Sequence, residues 1–264
     1  MFRYIKLYFV YLSHAIQTHL QYKTDALIGI FSFIVSNLCS FLTIWMIVNS
    51  FGNMGGWNMW ELGFLYGFAM LPKGLDHIFT DNLWAFGFRI LVEGKFDKYL
   101  TKPVNPLFLL IAEKFQPEGF GELIIGLVLC IVCGLNVSID VTFGKILLMI
   151  VAIIFGALIY TGIKLITASI SFWTKRSGQI MSTIYNINDF SKYPIKIFNF
   201  GIQIVFTFVI PFALCASIPA EVLLKGTWNP YYVSLIIIGV SLLLNGLGLL
   251  LWHIGLKRYD STGS

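Results

Sequence analysis

Long uncharged stretches dominate the pattern of hydrophobic and polar positions along the chain. Five stretches contain no Asp, Glu, Lys or Arg, namely 26–60, 123–139, 146–163, 197–220 and 226–256. A transmembrane helix needs about 20 apolar residues, and four of these stretches supply that length alone or with a snorkelling residue at one end. The pattern therefore predicts an all-α, polytopic membrane protein with six transmembrane helices.

The predicted spans are separated by turns and by charged segments. Five of them are placed at about 25–49, 59–82, 118–135, 142–172 and 231–255. The fifth span in chain order is either 177–193 or 197–218. If 177–193 crosses the membrane, 197–220 forms a re-entrant helical hairpin before the last span, broken at Pro211. Irregular backbone at membrane depth is tolerated where protein or water satisfies its hydrogen bonds.

The N-terminal segment differs from the predicted spans because charged residues and histidines interrupt it. Its apolar residues Ile5, Tyr8, Leu12 and Ile16 recur on one side at helical spacing, which predicts an amphipathic helix in the membrane interface. The chain is accordingly divided into an N-terminal interfacial helix (1–24), a single six-span transmembrane domain (25–258) and a C-terminal tail (259–264).

Composition agrees with a membrane environment. The chain is 57% hydrophobic and 12% charged, with a mean hydropathy of +0.80, and a soluble fold of 264 residues cannot cover that much apolar surface. The net charge of +5 does not indicate a nucleic-acid partner, because the basic residues are sorted by loop. They precede the first predicted span and follow the second, fourth and last, which places both termini in the cytoplasm.

The segment 93–106 belongs to the longest charge-dense interruption of the apolar sequence, with six charged residues in the fourteen positions 89–102. Gly94 favours a turn, after which Phe96, Tyr99 and Leu100 fall on one side of a short helix. The two prolines of the segment end this helix, because proline lacks the amide donor and disfavours helix in the preceding residue. We predict a rigid amphipathic helix that presents its aromatic and apolar face to a partner in the cytosol.

Ionisable residues occur near the end of the second predicted span, and such residues at membrane depth are functional candidates. Lys73, Asp76 and His77 are of this kind. One interpretation is that Lys73 and Asp76 form a local intramembrane ion pair that reaches the nearby cytosolic face. The other is that these residues form a proton-coupled site. Lys164, in the fourth predicted span, is expected to snorkel towards the cytosol.

Two further groups of polar residues lie near or within predicted spans. Glu118 and Glu122, one helical turn apart, either line an entry vestibule or follow the preference of acids for helix N-termini. Asn186, Asn188 and Asp189 line a pathway if the segment that contains them crosses the membrane.

The sequence contains no recognisable catalytic or nucleotide-binding motif. Gly144-Lys145 lacks the upstream glycine and the following Ser or Thr of a phosphate-binding loop, and neither HExxH nor a serine-nucleophile motif occurs. Cys130 and Cys133 lie in an apolar stretch, where thiolate chemistry is disfavoured. We therefore expect a non-catalytic chain without a metal or cofactor of its own.

Four features together are similar to one known family. They are Gly94-x-Phe-Asp-x-x-Leu-x-x-Pro-Val-x-Pro106 after the second span, Phe172-Trp-x-x-Arg176 after the fourth, Tyr193-Pro194 followed by Pro211 and Ser217-Ile-Pro-Ala220, and the six-span plan with an interfacial N-terminal helix. In these features the chain resembles the membrane (permease) subunits of ABC-2-type ABC exporters, particularly a bacterial branch of that family.

The resemblance implies a permease that pairs with a second permease subunit, identical or different, and rests on separate ABC ATPase subunits that bind ATP and Mg. It also implies a location in the bacterial cytoplasmic membrane and favours the re-entrant hairpin. In this family the helix after the second span is the coupling helix, which contacts the ATPase. The residues that match it are Gly94, Phe96, Asp97, Leu100 and Pro103.

Two other functional classes stay open. An ion-coupled secondary transporter would use Lys73, Asp76 and His77 as a relay and would work without an ATPase. A membrane enzyme acting on lipids would need carboxylates or histidines clustered at the interface, whereas this sequence scatters them. The many aromatic residues in the predicted spans suggest an amphipathic or hydrophobic substrate.

Overall fold

The computed structural model describes residues 2–51 and 54–260. Within this part of the chain the regular structure is helical and no β-strand occurs, which confirms the predicted all-α class. The α-helices are α1 (Phe2–Gln21), α2 (Lys23–Phe51), α3 (Met59–Thr80), α4 (Asn82–Ala85), α5 (Asp97–Leu100), α6 (Pro106–Ala112), α7 (Gly119–Gly134), α8 (Phe143–Ser169), α9 (Ser171–Thr174), α10 (Gly178–Asn188), α11 (Phe200–Ile204), α12 (Ser217–Lys225) and α13 (Pro230–Lys257).

Three of the described helices are long and apolar enough to cross a membrane: α2, α8 together with α9, and α13. They coincide with the first, fourth and last predicted spans. A fourth candidate arises if the bent pair Phe200–Val209 and Phe212–Lys225 is one span. The chain is thus a multi-pass membrane protein, and the total of six spans stays a prediction.

The second and third predicted spans correspond to α3 and α7, which pack side by side through glycines. A Cβ atom at Gly67 would lie 2.7 Å from Cβ of Leu129 and 2.8 Å from the carbonyl oxygen of Gly126. Only glycine permits this approach, and small residues have this role at helix–helix contacts in membranes. α7 has 16 residues, about 24 Å of helix at a rise of 1.5 Å per residue.

The region between α9 and α13 contains no long straight helix. α10 has 11 residues and α11 has 5, so neither 177–193 nor 197–218 forms one uninterrupted helical span. The helices on either side of Pro211 are bent by 77°, in agreement with the break expected where proline removes an amide donor. This geometry fits a broken span as well as a re-entrant loop.

α1 is the predicted N-terminal helix, and its backbone hydrogen bonds continue through Tyr22 into α2. The ring of Tyr4 packs edge-on against Phe108 of α6, with 5.0 Å between the ring centroids. α1 is therefore in contact with α6, in the region between α3 and α7. Its position in the membrane interface stays a prediction, and only the first two residues of the predicted tail (259–264) lie within the described part of the chain.

Candidate functional site

Residues 94–106, matched above to a coupling helix, are called the coupling segment. The chain reaches it from α3 through α4 and a π-helical turn, Phe86–Ile90. Gly94 then has a φ of +65°, a left-handed conformation that glycine adopts without steric cost. The turn predicted at this residue is confirmed, and α5 follows it.

The two prolines of the coupling segment have different roles. Pro103 follows α5, whereas Pro106 is the first residue of α6, where the missing amide proton costs no hydrogen bond. The side-chain oxygen of Asn105 accepts hydrogen bonds from the backbone N–H groups of Leu107 (2.9 Å) and Phe108 (3.2 Å) and so caps α6. α5 is a helix of 4 residues that lies between the turn at Gly94 and the capped start of α6.

Five aromatic side chains pack together against α5 and are called the aromatic cluster: Phe86, Phe96, Phe172, Trp252 and Tyr259. Phe96 lies at its centre and is 0% exposed. The centroid of its ring is 5.2 Å from that of Phe86, and the other three rings lie 5.1–5.9 Å away. These separations are typical of favourable aromatic pairs. The prediction that Phe96 faces a partner is therefore wrong, because its ring is buried in the core of this chain.

Tyr99, which was expected on the same presented face, is also buried. Its hydroxyl donates a hydrogen bond to Glu113, and the Lys98 ammonium lies 2.7 Å from the same carboxylate. Partial burial raises the pKa of Tyr99, and the hydrogen bond to Glu113 adds to the rise. Burial opposes the charged form of Glu113, but the bonds from Lys98 and Tyr99 outweigh it and hold the pKa of Glu113 below its usual range. α5 is thus tied to Glu113 at the end of α6 by an ion pair and a hydrogen bond.

The opposite side of the coupling segment is exposed. Leu100 is 42% exposed, and Pro103 is exposed beside it. The Asp97 carboxylate, by contrast, accepts a hydrogen bond of 2.9 Å from the Tyr259 hydroxyl. Among the residues matched to the coupling helix, Phe96 and Asp97 therefore hold the segment in place, whereas Leu100 and Pro103 are accessible to a partner.

A second group of side chains, called the charge network, lies at the end of α3 that leads to the coupling segment. Its members are Lys73, Asp76, His77, Asp81, Glu122 and Lys164. The Lys164 ammonium of α8 is 2.8 Å from Asp76 and 2.9 Å from Asp81, and Lys73 is 3.2 Å from Glu122 of α7. The predicted ion pair between Lys73 and Asp76 is wrong, because each residue pairs with a different helix.

Lys164 is 0% exposed, so the expectation that it snorkels towards the cytosol is also wrong. Its partner Asp76 accepts hydrogen bonds at Oδ1 from the hydroxyls of Thr80 (2.6 Å) and Thr161 (2.8 Å). A buried ion pair is stable only when further hydrogen bonds satisfy its remaining polar atoms. The hydroxyls around Asp76 meet this condition.

His77 lies between two carboxylates of the charge network. Its Nδ1 is 3.4 Å from Glu122 and its Nε2 is 3.5 Å from Asp81. Glu122 is buried and belongs to this network, and it also lies in the first turn of α7, as the helix N-terminus interpretation expected. Glu118 makes no side-chain cap hydrogen bond at the start of α7, and its buried Oε2 atom has no hydrogen-bond partner among the described residues.

The three predicted pathway residues have different surroundings. Asn186 and Asp189 are exposed. Asn188 is buried, and its side-chain oxygen accepts hydrogen bonds from the hydroxyls of Tyr160 (2.6 Å) and Ser191 (3.0 Å). Asn188 therefore faces the protein interior, contrary to the prediction, while a pathway role for the other two stays a prediction.

Tyr185 of α10 connects the charge network with α4. Its hydroxyl is 3.4 Å from Asp76 Oδ2, to which it donates, and its ring packs edge-on against Trp84 with centroids 4.9 Å apart. The side chain of Asn82 donates a hydrogen bond of 2.6 Å to the carbonyl oxygen of Leu110 in α6. α4, which begins the connection from the charge network to the coupling segment, is thus fixed to α10 and to α6.

Sequence reasoning did not identify Tyr185 and Thr161 as hydrogen-bond partners of Asp76, or Trp252 as a member of the aromatic cluster, because nothing in their local sequence indicates a distant partner. Lys164 carried a signal that was misinterpreted. It lies well inside an apolar helix of 27 residues, where an ionisable side chain is expected to be paired inside the protein.

The described residues include no group of three or more side chains suited to bind a metal ion. The four cysteines are free, with Cys133 and Cys215 buried and Cys39 exposed. The CxxC pair at Cys130 and Cys133 forms no disulfide in this structure.

Comparison with known proteins identifies the family. The family model described as "ABC-2 family transporter protein" matches residues 34–263, and no curated protein or solved structure matches the chain. The matched range includes the aromatic cluster, the charge network and the bent helix pair. Because this range covers well over half of the sequence, the chain belongs to the ABC-2 transporter family and is a membrane component of a transporter of this kind.

Proposed function

We propose that the chain is the permease subunit of an ATP-driven ABC exporter and that ATP is hydrolysed on a separate ATPase subunit. Family membership supports the permease assignment. The sequence contains no phosphate-binding loop, so ATP and Mg bind to the partner. The observation that carries the proposal is that the coupling segment is fixed on one side and exposed on the other.

A partner that moves the coupling segment needs a surface to contact and a rigid connection to the helices. Leu100 and Pro103 provide the contact surface, and the neighbouring Lys102 adds positive charge. Phe96 provides the connection, because it packs against Phe172 of α9 at 5.8 Å between centroids. A displacement of the segment therefore acts directly on the end of the α8–α9 span.

The charge network passes this displacement to the remaining helices. It links α3 with α7 through Lys73 and Glu122 and with α8 through Asp76 and Lys164. Packed helices that are paired in this way move as units between discrete arrangements rather than deforming continuously. The network thus makes α3, α7 and α8 respond together when α4 moves.

The proposed arrangement in the membrane has six spans. α3 and α7 join the three long helices, α10 with the residues after it crosses as the fifth span, and the bent pair around Pro211 re-enters from the outer side. Both termini and the coupling segment then lie in the cytoplasm of a bacterial cell, in line with the distribution of Lys and Arg. A second permease subunit, identical or different, completes the pathway.

The proposal is tested by purifying the tagged full-length chain in mild detergent from the cell that naturally contains it. We expect an ATPase with a phosphate-binding loop to co-purify and to hydrolyse ATP. Leu100→Asp should remove the ATPase without lowering the amount of inserted permease. The matched control is Val141→Asp, since Val141 is an exposed apolar residue in the loop between α7 and α8. ATPase retained at wild-type level by Leu100→Asp would contradict the docking surface.

An ion-coupled secondary transporter is the second candidate, because His77 lies within 3.5 Å of two carboxylates. It requires that transport stop when an uncoupler removes the proton gradient and continue when the ATPase is deleted. The exporter requires that transport continue when the uncoupler is present and stop when the ATPase is deleted. The two treatments applied to the same cells therefore separate the candidates.

A further inference from the structure

A cavity whose lining includes charged and hydroxyl-bearing side chains lies beside α2, in a part of the molecule where apolar lipid-facing residues would be expected. Its volume is about 330 Å³, and its lining includes Ser40, Thr43, Tyr66, Asp189, Lys192 and Tyr193. Ser40 and Thr43 lie about 25–30 Å from the start of α2, at a rise of 1.5 Å per residue, in a helix of 29 residues. Charged groups at membrane depth generally mark functional positions.

The ion pair in this cavity is asymmetric. The Lys192 ammonium is 2.8 Å from Asp189 and 5.2 Å from the centroid of the Tyr66 ring. The side chain of Lys192 is 11% exposed and that of Asp189 is 62% exposed. The cation is therefore enclosed by its partner and by a ring, while the carboxylate is open to an incoming group.

The other lining groups include hydrogen-bond acceptors and aromatic rings as well as the aliphatic Ile44. Ser40 and Thr43 donate their hydroxyl protons to carbonyl groups of their own helix, at 2.9 Å and 3.0 Å, which leaves the hydroxyl oxygens as acceptors. Tyr66 and Tyr193 add aromatic walls, and ring faces attract cations. The accessible groups therefore favour a positive charge over a negative one.

We propose that this cavity is open to water and binds a small cationic or zwitterionic group, such as an amine, of the transported molecule. The proposal rests on the proposed function, because only a transporter makes such a cavity part of a substrate path. Its volume is at the lower end of small-molecule sites, so it takes one head group rather than a whole drug-sized molecule. The substrate class expected from the sequence, amphipathic or hydrophobic, is thereby narrowed to molecules with a positive charge.

Cysteine labelling of the full-length protein in its membrane tests access to water. Ser40→Cys and Thr43→Cys are made in a Cys39→Ala background and treated with a charged methanethiosulfonate. Leu42→Cys is the matched control, because Leu42 is exposed on the same helix but does not line the cavity. We expect both cavity positions to react about tenfold faster than the control, since thiolates do not form in apolar surroundings. Equal rates at all positions would overturn the proposal.

The charge of the preferred group is tested with cationic and anionic methanethiosulfonates. The ratio of their rates at Ser40→Cys is divided by the same ratio at Ser138→Cys, in the exposed loop after α7. We expect a preference for the cation of about tenfold, from the local field of the carboxylate. Asp189→Asn should abolish this preference, and Asp25→Asn, which alters an exposed acid at the start of α2, should leave it. A normalised ratio of one or less would overturn the cationic class.

Failure of this proposal differs from failure of the proposed function. Labelling takes place without an ATPase, so unreactive Ser40→Cys and Thr43→Cys in a complex that retains its ATPase would contradict only the cavity site. Strong labelling in a protein that never binds an ATPase would contradict the exporter, and with it the link between the cavity and exported substrate.

Discussion

The charge network and the aromatic cluster are neighbours along the chain, yet opposite kinds of interaction stabilise them. The network joins α3, α7 and α8 by ion pairs, such as Lys164 with Asp76 at 2.8 Å. The cluster joins the coupling segment to α9 and α13 by ring packing around Phe96. A buried charge has to pair with a side chain of opposite charge, whereas ring packing depends on shape and buried area. The network therefore fixes helix partners, and the cluster fixes the position of a very short helix.

The two regions should respond differently when one member is removed. A charge that loses its partner in the interior stays buried and uncompensated, which costs about 3–5 kcal/mol. A ring that is removed leaves a cavity that its neighbours can partly fill, so the cost depends on how far they relax. Substitutions in the two regions can therefore be ranked by their expected effect on stability.

The largest effect is expected for Lys164→Leu. The variant leaves Asp76 buried without a cation, so we expect a loss of about 3–5 kcal/mol, seen as a marked fall in the thermal midpoint of the detergent-purified protein. Lys145→Leu, a partly exposed lysine at the start of the same helix, should change the midpoint little.

The double variant Asp76→Leu with Lys164→Leu sharpens this test. Replacing both members of a buried pair by apolar residues is often neutral, so part of the stability should return, although Asp81 loses its cation in both variants. A double variant as unstable as Lys164→Leu would show that the ion pair is not the reason for the loss.

Phe96→Ala should have the next largest effect. It removes the central ring of the aromatic cluster and should cost about 3 kcal/mol, the lower end of the range for such substitutions. The coupling segment would lose its support, so the ATPase should also fail to co-purify. Phe96→Leu should lose less of both properties than Phe96→Ala, because leucine keeps part of the buried apolar volume that alanine removes. The control is Phe143→Ala, which alters an exposed ring.

Asn105→Ala removes the cap of α6 and should lower stability by about 1 kcal/mol. Asn199 caps α11 in the same way, by accepting a hydrogen bond from the Ile202 N–H at 2.9 Å. Asn199→Ala should therefore have a similar thermal effect. Only the change at Asn105 should reduce ATPase co-purification, because only that cap positions the coupling segment. If ATPase co-purification fell in both variants, the Asn105 cap would have no specific role in positioning the coupling segment.

The smallest effect on stability is expected for Leu100→Asp. The side chain is 42% exposed, so the thermal midpoint should change by the equivalent of no more than about 0.5 kcal/mol. ATPase co-purification should nevertheless be lost. A large fall in the midpoint would show that Leu100 stabilises this chain rather than contacting a partner.

Features with a local signal in the sequence could be predicted. The apolar stretches gave the bounds of α2 and α13 to within a few residues, because lipid requires uninterrupted apolar helix. Gly94 gave the turn before α5, since a positive φ favours glycine, and Pro211 gave the bend before α12.

Features that depend on distant partners could not be predicted. An amphipathic face has the same sequence pattern whether helices of the same chain or another protein cover it. For this reason Phe96 was predicted to face a partner, although helices of the same chain bury it. Asp76 has Lys73 three residues away and Lys164 in another helix, and spacing alone favours the nearer cation. Only the packing of α8 against α3 brings Lys164 within 2.8 Å.

The central claim is that the exposed side of the coupling segment contacts an ATPase. Photocrosslinking tests it most directly, with a photoreactive amino acid at position 100 in the full-length protein in its native membrane and the same amino acid at position 141 as the control. We predict that position 100 forms an adduct with a protein that contains a phosphate-binding loop and that position 141 does not. An ATP-hydrolysing complex that forms no such adduct at position 100 would contradict the claim.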